Sequence, residues 1–386
     1  MPQMADAAPG TGESRQVVIT GMSATSAFGR GTAPLLTGAL SGQPAFGPVR
    51  RFSVDGRRAT AAAELEGPAV LADELVAVIG TACDQAGLSP ANRSSAELLM
   101  ALHSDAAAAR DVTSRTVTGN TAAEVAVRTG LPEPPRVYAT ACVAGSTAIA
   151  DGAAMIVSGR AVRVVVAAGY LVAPDDFALF DGARVLARDG QVRPFSSGRQ
   201  GMLLGDGVAA VVLESDDAAR SRGAPPLARL SGWGRAGDAY HVCQPSPDGR
   251  GLARAIDAAL RRGRIDPAGI DYVNANGTGT SHADSAETAA LRQALGRHAD
   301  AIPVISTKSV HGHALEASAL LEFVLTVLVL RAGLLPVNAG YLGPDPRCGL
   351  DLVLGSARKV PGGCRHALSL NAAFGGASTA LLVAAA

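Results

Sequence analysis

The sequence predicts an α/β fold built twice over, and two observations predict it. From Val17 onward, short Val/Ile-rich runs alternate with longer Ala/Leu-rich amphipathic ones: "VVIT", "ELLMALH", "RVYAT", "RVVVAAG" and "VAAVVLE", then "IDYVNA", "PVIST", "HALSLNAA" and "TALLVAAA". Strands that alternate with helices and are apolar on both faces indicate sheets covered by helices. The second observation is an internal repeat of helix, turn, strand, helix, proline, strand, polar turn and helix.

Taken in order, the first sixteen residues, "MPQMADAAPGTGESRQ", are small and polar, without the basic start and apolar centre of a signal peptide, and are expected to be a disordered tail. The first half, 17–224, carries the helix "LVAVIGTACDQAG", the turn Ser89-Pro90 and the strand "ELLMALH". It continues with a second helix, "RVYAT", a polar turn at Cys142 and a third helix. The second half, 225–386, repeats this with "LARAIDAALRRGRI", Asp266-Pro267 and "IDYVNA", then a helix, "PVIST", a polar turn from Lys308 to His313 and a last helix. The division falls near "SRGAPPLARL", where Gly, Pro and Arg cluster. The run "ALLEFVLTVLVLRAGLLPV" contains Glu322 and Arg331 and falls short of the roughly 20 apolar residues that span a bilayer. It reads as a buried helix leading into a strand.

Composition narrows the function. The 386 residues, 48% apolar, bury a substantial core. Thirty-four basic residues balance thirty-four acidic ones, so no global field attracts nucleic acid or an anionic membrane. Five scattered cysteines without a CxxC pair fit a reducing cytoplasm and argue against a disulfide framework or a zinc site.

The repeat sets two polar turns against each other, and each carries chemistry. In "VYATACVAGSTAIADG" a strand runs into Cys142 at the start of a helix, where exposed N–H groups and the positive dipole end are expected to lower a thiol's pKa and to cradle an oxyanion. In "STKSVHGHALEASALLE", Lys308, His311 and His313 follow a strand; a histidine there can donate to a thioester carbonyl, and a lysine can tune it. The two histidines lack the i, i+4 spacing of a zinc pair, so no metal is expected. In "YVNANGTGTSHADSAET", Gly277 and Gly279 permit positive φ and Thr278 and Thr280 offer hydroxyls, ahead of a helix with Asp284 and Glu287. No phosphate loop occurs, so nucleotide binding has no support.

Together these motifs resemble the β-ketoacyl-acyl-carrier-protein synthases of the thiolase superfamily, from "VVITGMSATSAFG" through "TACVAGSTAIADG", "RPFSSGRQGMLLGDGVAAVVLE", "NANGTGTSHADSAE" and "STKSVHGH" to "FGGASTALLV". The resemblance implies a thiolase-like fold, two pseudo-equivalent α/β halves in an αβαβα arrangement. It implies an acyltransferase of fatty acid or polyketide biosynthesis whose substrates ride on the phosphopantetheine of an acyl carrier protein, with no other cofactor. By it, Cys142 is the acylated nucleophile, His313 the second catalytic histidine and Lys308 the supporting lysine. Glu322 is the acidic residue of the following helix, and Thr278 and Thr280 contact the pantetheine arm. The N–H groups of Cys142 and Phe374 form the oxyanion hole, and Gly375 and Gly376 support it. A homodimer, or a heterodimer with another ketosynthase-like subunit, is implied too, and "AVRVVVAAG" is expected to be a surface that association covers. Phe177, Phe180 and Leu186 are candidates for the acyl tunnel or for core.

Three departures qualify this. Asn276 stands where the family has its first catalytic histidine; Glu316 and Ala319 replace glycines after His313; and "LNAAFGG" places Ala372 and Ala373 where a second Phe-Gly is expected. Asparagine donates a hydrogen bond but cannot transfer a proton. The leading expectation is therefore acyl loading onto Cys142 with weakened or absent decarboxylative elongation. Full Claisen condensation with a Cys-Asn-His set is the alternative. A silent chain-length-factor-like partner is a third reading, opposed by the retained Cys142, Lys308 and His313. Thiolase proper lacks its second cysteine, since Cys364 lies before the final strand pair.

Overall fold

The computed structural model describes residues 15–102 and 117–386, so the expected tail lies almost wholly outside the described residues. Ten strands carry the fold: β1 (Val17–Ser26), β2 (Glu97–Leu102), β3 (Arg136–Tyr138), β4 (Arg163–Tyr170), β5 (Gly207–Ser215), β6 (Ala228–Gly237), β7 (Tyr272–Asn274), β8 (Val304–Ile305), β9 (His366–Ala372) and β10 (Ala377–Ala384). They run in the order β1-β5-β4-β2-β3 and again β6-β10-β9-β7-β8. In each set the first two pairings are antiparallel and the last two parallel. Antiparallel pairing of Val17–Ile19 with Ala228–Leu230 joins β1 to β6. We take the boundary between the two halves, 224/225, from this repeat.

Six helices match in the same way: α1 (Leu71–Gln85), α2 (Val117–Thr129) and α3 (Ala144–Val157), then α4 (Arg250–Gly263), α5 (Ser281–Leu295) and α6 (Ser318–Ala332). α1 packs on β1, β5 and β4, with α2 beside it, and α4 packs on β6, β10 and β9, with α5 beside it. α3 and α6 touch each other and strands of both sets, which makes them the middle layer of an αβαβα stack. Their composition fits that place. α6 is buried around most of its circumference and largely apolar, with Phe323, Val324 and Leu325 in full burial and Glu322 as its one buried charge, as suits a helix covered on both sides. α4 buries only the face with Leu252, Ile256 and Ala259, leaving Arg254, Arg261 and Arg262 to solvent.

One expectation needs correction, and one strand carries no sequence signal of its kind. "RVVVAAG" is no exposed surface: β4 lies between β5 and β2 and is buried at every residue. And β6, "ARLSGWGRAG", lacks the Val/Ile signal by which the other strands were read. Its glycines serve helix contact instead, since a Cβ at Gly234 would sit 1.9 Å from the Ala255 carbonyl oxygen of α4. Gly21 of β1 plays the same part against the Ala82 carbonyl of α1, 2.0 Å from where its Cβ would lie. Alanine at either place would push helix and sheet apart.

Candidate active site

The two polar turns meet between the sheets. Cys142 lies in a 3-10 turn, Ala141–Val143, that leads into α3, and this turn packs against its counterpart Leu315–Ala317 ahead of α6 and against strands β9 and β10. The Ser146 and Thr379 hydroxyls, 2.7 Å apart, fasten α3 to β10. Cys142 is partly accessible, whereas Cys83, Cys348 and Cys364 are buried; all five cysteines are free thiols. The expected lowering of the thiol pKa is overturned. Burial pushes it up to about 12, the Glu316 carboxylate adds to the rise, and Lys308 opposes it. A single short turn of exposed N–H groups does not outweigh loss of water.

His313 is held by backbone on both sides: its N–H donates to the Leu203 carbonyl at 2.8 Å, and its carbonyl accepts from Gly205 N–H at 3.0 Å. Its ring is fixed by the chain. The Leu315 N–H donates to Nδ1 at 3.0 Å, so the proton sits on Nε2 and the ring is a neutral donor there. Burial and the nearby Lys308 hold its pKa well below the usual histidine range. His311 is buried beside it, with Nε2 2.9 Å from the Thr307 hydroxyl.

Burial, then Lys308, lowers the His311 pKa from 6.5 to about 3. The unfolded chain protonates this ring below about 6.5 and the folded chain only below about 3, so the stability at stake is complete above 6.5 and lost as pH falls through that window. His311→Gln is expected to flatten the acid side of a plot of melting temperature against pH over that range. A plot parallel to wild type would refute the assignment.

Lys308, 1% exposed, is the hub. Its Nζ lies 2.6 Å from Glu322 Oε1, 2.8 Å from the Asn276 carbonyl oxygen and 3.3 Å from Asn276 Oδ1. An ammonium only donates, so the amide of Asn276 turns its oxygen to Lys308, and no described residue accepts from its Nδ2. Glu322 also accepts from Ser318 Oγ at 3.1 Å and, through Oε2, from Asn371 Nδ2 at 2.7 Å. Burial raises its pKa against the opposing pull of Lys308.

The loop after β7 is clamped from below by α5. Glu287 accepts from the N–H groups of Asn276 at 2.7 Å and Gly277 at 2.8 Å; Asp284 accepts from Phe195 at 2.8 Å and Gly279 at 3.1 Å. Burial raises these carboxyls to about 7 and about 6. Thr278 and Thr280 share a hydrogen bond of 2.9 Å. Gly277, with φ +32°, is needed because a Cβ there would lie 2.5 Å from that of Ser306. Sequence reading noted Asp284 and Glu287 only as residues of the following helix. Their role as clamps gives no clear local signal, since Glu287 reaches N–H groups ten and eleven residues back and Asp284 reaches one five residues back and another 89 residues back.

Phe374 stands on the β9–β10 hairpin, 46% exposed, with its ring stacked 6.1 Å from that of Phe180. Gly375 N–H donates to the Val242 carbonyl and Gly376 N–H to that of Ala373, whereas Phe374 N–H has no acceptor among the described residues. Gly376, φ +78°, admits no Cβ, which would lie 1.9 Å from Asp238 Oδ1. Of the tunnel candidates, Phe177 and Leu186 are core, and Phe180 alone meets the hairpin. Among the described residues no group of three or more His, Cys, Asp or Glu could hold a metal ion, and no helix is long and apolar enough to cross a membrane.

Comparison with known proteins identifies the family and the fold. Residues 58–219 match the family model "Beta-ketoacyl synthase, N-terminal domain", and 227–341 match "Beta-ketoacyl synthase, C-terminal domain". Nodulation protein E of Rhizobium meliloti (strain 1021) is 33% identical over 404 residues, covering 95% of this chain and 98% of the relative. The tetracenomycin polyketide synthase ketoacyl synthase alpha subunit of Streptomyces glaucescens is 38% identical over 267 residues, 68% of this chain. The match spans only 62% of that relative's length, and 63% of two further Streptomyces relatives. Among solved structures, a type II polyketide acyl-carrier protein in complex with its ketosynthase superposes with a TM-score of 0.89 at 25% identity, covering 97% of this chain and 100% of the other. The ishigamide ketosynthase/chain length factor gives 0.87 at 27%, with the same coverage, and a β-ketoacyl synthase from Burkholderia phymatum STM815 gives 0.87 at 26%, covering 96% and 100%.

Proposed function

Since the chain belongs to the β-ketoacyl synthase family, we propose that it is a ketosynthase-like acyltransferase that takes an acyl group from the phosphopantetheine of an acyl carrier protein onto Cys142, with decarboxylative elongation weakened or absent. The observation that carries this reading is the fixed orientation of Asn276, whose oxygen is engaged by Lys308 and whose Nδ2 is left as a donor. Thioester transfer needs a nucleophile and oxyanion donors, here Cys142 with its own N–H and that of Phe374. Decarboxylation of a malonyl thioester needs donors at the oxygen where charge develops. His313 Nε2–H supplies one, and Asn276 supplies a second that is neutral and cannot move a proton.

In this reading Thr278 and Thr280 exchange their mutual hydrogen bond for contacts to the pantetheine arm, and the Phe374 ring stacked on Phe180 covers the approach to the thiol. The acyl carrier protein is the partner, as it is for the ketosynthase in the superposed complex. The protein works in the cytoplasm as a homodimer or beside a second ketosynthase-like subunit. Retention of Cys142 opposes the silent-partner alternative.

The test offers acyl- and malonyl-carrier protein and reads Cys142 and the products by mass spectrometry. Acyl-Cys142 with little β-ketoacyl product is expected, and abundant product would establish full condensation instead. Removing one such donor costs about 10²–10³-fold in rate, and Asn276 keeps part of that role, so Asn276→His is expected to raise malonyl decarboxylation about ten-fold. No change would place residue 276 outside the reacting centre.

A further inference from the structure

At the end of the first sheet opposite the nucleophile lies a pocket of about 500 Å³. β2 and β4 begin there, at Glu97 and Arg163, whereas the turn with Cys142 follows the far end of β3, which runs parallel to β2. The short helices Pro90–Ser94 and Asp216–Ser221 supply the other walls. A cavity of this size suits a small molecule.

Part of the lining is positively charged and fixed in place. Arg163 and Glu214 are register partners across β4 and β5, and Arg163 Nε donates to Glu214 Oε2 at 2.8 Å. Its Nη1 reaches the Asn92 carbonyl at 3.3 Å, which leaves Nη2 without a partner among the described residues. The side chain is 7% exposed and lines the pocket. Arg222 donates through Nε and Nη2 to the same wholly buried carboxylate, so Glu214 is fully engaged beneath the pocket. Arg160, also in the lining, uses only Nε, on the Ser158 hydroxyl at 3.1 Å; both its Nη groups are unpaired among the described residues. A Cβ at Gly159 would lie 2.8 Å from Arg15 Nη1, which brings a fourth guanidinium beside Arg160. This anion-binding side is built of guanidinium groups, with no glycine-rich loop.

The remaining polar groups accept. Ser95 and Ser221 donate their hydroxyls to the Asn92 and Ala218 carbonyls, at 3.2 and 2.9 Å, so each offers a ligand its oxygen lone pairs. Glu97 is exposed in the lining, and its carboxylate takes no hydrogen bond from a described residue. Donors and acceptors in one pocket match a phosphate carried on a skeleton with hydroxyls. Free phosphate would engage the arginines alone, with Glu97 opposing it.

We propose that this pocket binds a small phosphate monoester bearing hydroxyl groups, with its phosphate on Arg160 and Arg163 Nη2 and its hydroxyls on Ser95, Ser221 and Glu97. Arg163 is held by Glu214 before the ligand arrives, so the cost of ordering falls on Arg160. Guanidinium–phosphate pairs are charge-assisted, and two of them outweigh one carboxylate that the ligand's own hydroxyls engage. No bond is made or broken, and the bound ester stabilises the fold by mass action. The site stands apart from the acyl-transfer reading and holds whether or not Cys142 is acylated.

The test follows the melting temperature of the full chain as inorganic phosphate, glucose 6-phosphate or glucose is added at constant ionic strength. Glucose 6-phosphate should raise it with a half-saturating concentration about ten-fold below that of inorganic phosphate, and glucose should leave it unchanged. Arg160→Gln removes an exposed side chain with one hydrogen bond, so the ligand-free protein should melt as wild type does while half-saturation by glucose 6-phosphate rises about ten-fold. Glu97→Gln should tighten inorganic phosphate about three-fold by removing a like charge. No shift with glucose 6-phosphate, no advantage over inorganic phosphate, or an unaltered response in Arg160→Gln would overturn the proposal. Cys142→Ala should respond as wild type does; a response lost in that variant would place the ester at the catalytic centre and overturn it as well.

Discussion

Cys142→Ala is expected to leave no acyl adduct on the protein after incubation with an acyl carrier-protein thioester, where wild type gains one. The four other cysteines make this a sharp test. Cys83, Cys348 and Cys364 are buried, and burial raises the pKa of each thiol. Cys243 is exposed, on the segment whose Val242 carbonyl accepts from Gly375 N–H of the hairpin loop that carries Phe374, and is open to chemical modification. A reagent will therefore label it as well, so the adduct must be located by peptide. Cys243→Ser should acylate at the wild-type rate, because exposure alone supplies no oxyanion hole. An adduct that survives in Cys142→Ala and disappears in Cys243→Ser would move the nucleophile to the surface loop and undo the functional reading. The expected loss is total, since no second thiol lies in the paired turns.

How much of this was legible in the sequence depended on whether the physical cause was local. The alternation of Val/Ile runs with amphipathic runs marks nine of the ten strands because most of them bury side chains on both faces, the short β3 with its exposed Arg136 being the exception. β6 escaped because its role is to let α4 close on the sheet through Gly232 and Gly234, and glycines carry no β signal. The internal repeat was readable from the order of turns, and it gave the meeting of Cys142 with the loop after β8 before any coordinates. What the order of turns could not give was the matching within those turns. That the triplets Ala141–Val143 and Leu315–Ala317 are counterparts shows in the positive φ of Ala141 and Leu315, 50° and 42°, residues without any compositional mark of strain. In the sequence Glu316 stood out only as a charge where small residues are usual.

The thiol pKa shows the same limit from the other side. A cysteine at a helix start argues for a stabilised thiolate, and that rule holds where water and dipole dominate. Here the site is sandwiched between two sheets, and a carboxylate from a residue 174 positions away faces it. Neither burial nor that neighbour can be read from the segment around Cys142. Likewise, Asn276 was visible as an absent histidine, while the direction of its amide follows from Lys308 alone.

Lys308→Met is expected to be the most destabilising single change, about 3–5 kcal/mol, because it strands a carboxylate in the middle layer. Lys308 and Glu322 are each 1% exposed and 2.6 Å apart, so neither solvent nor salt screens the loss. Glu322 would keep Ser318 and Asn371 as donors, which neutral groups cannot make equivalent to an ammonium. Urea unfolding should show the midpoint fall with an unchanged slope. Replacing both partners, Lys308→Met with Glu322→Leu, should recover much of the stability, since two apolar groups need no pairing. A single variant within 1 kcal/mol of wild type, or a double variant no better than the single, would show that the pair is not the buried ion pair it resembles. The recovered double variant also separates fold from function. Its Asn276 amide would have lost the ammonium that holds its oxygen, freeing Nδ2 to turn away from the substrate oxygen. Acyl loading should then persist through Cys142 while any residual decarboxylation disappears, which locates the work of Lys308 in aiming a donor as much as in holding the core.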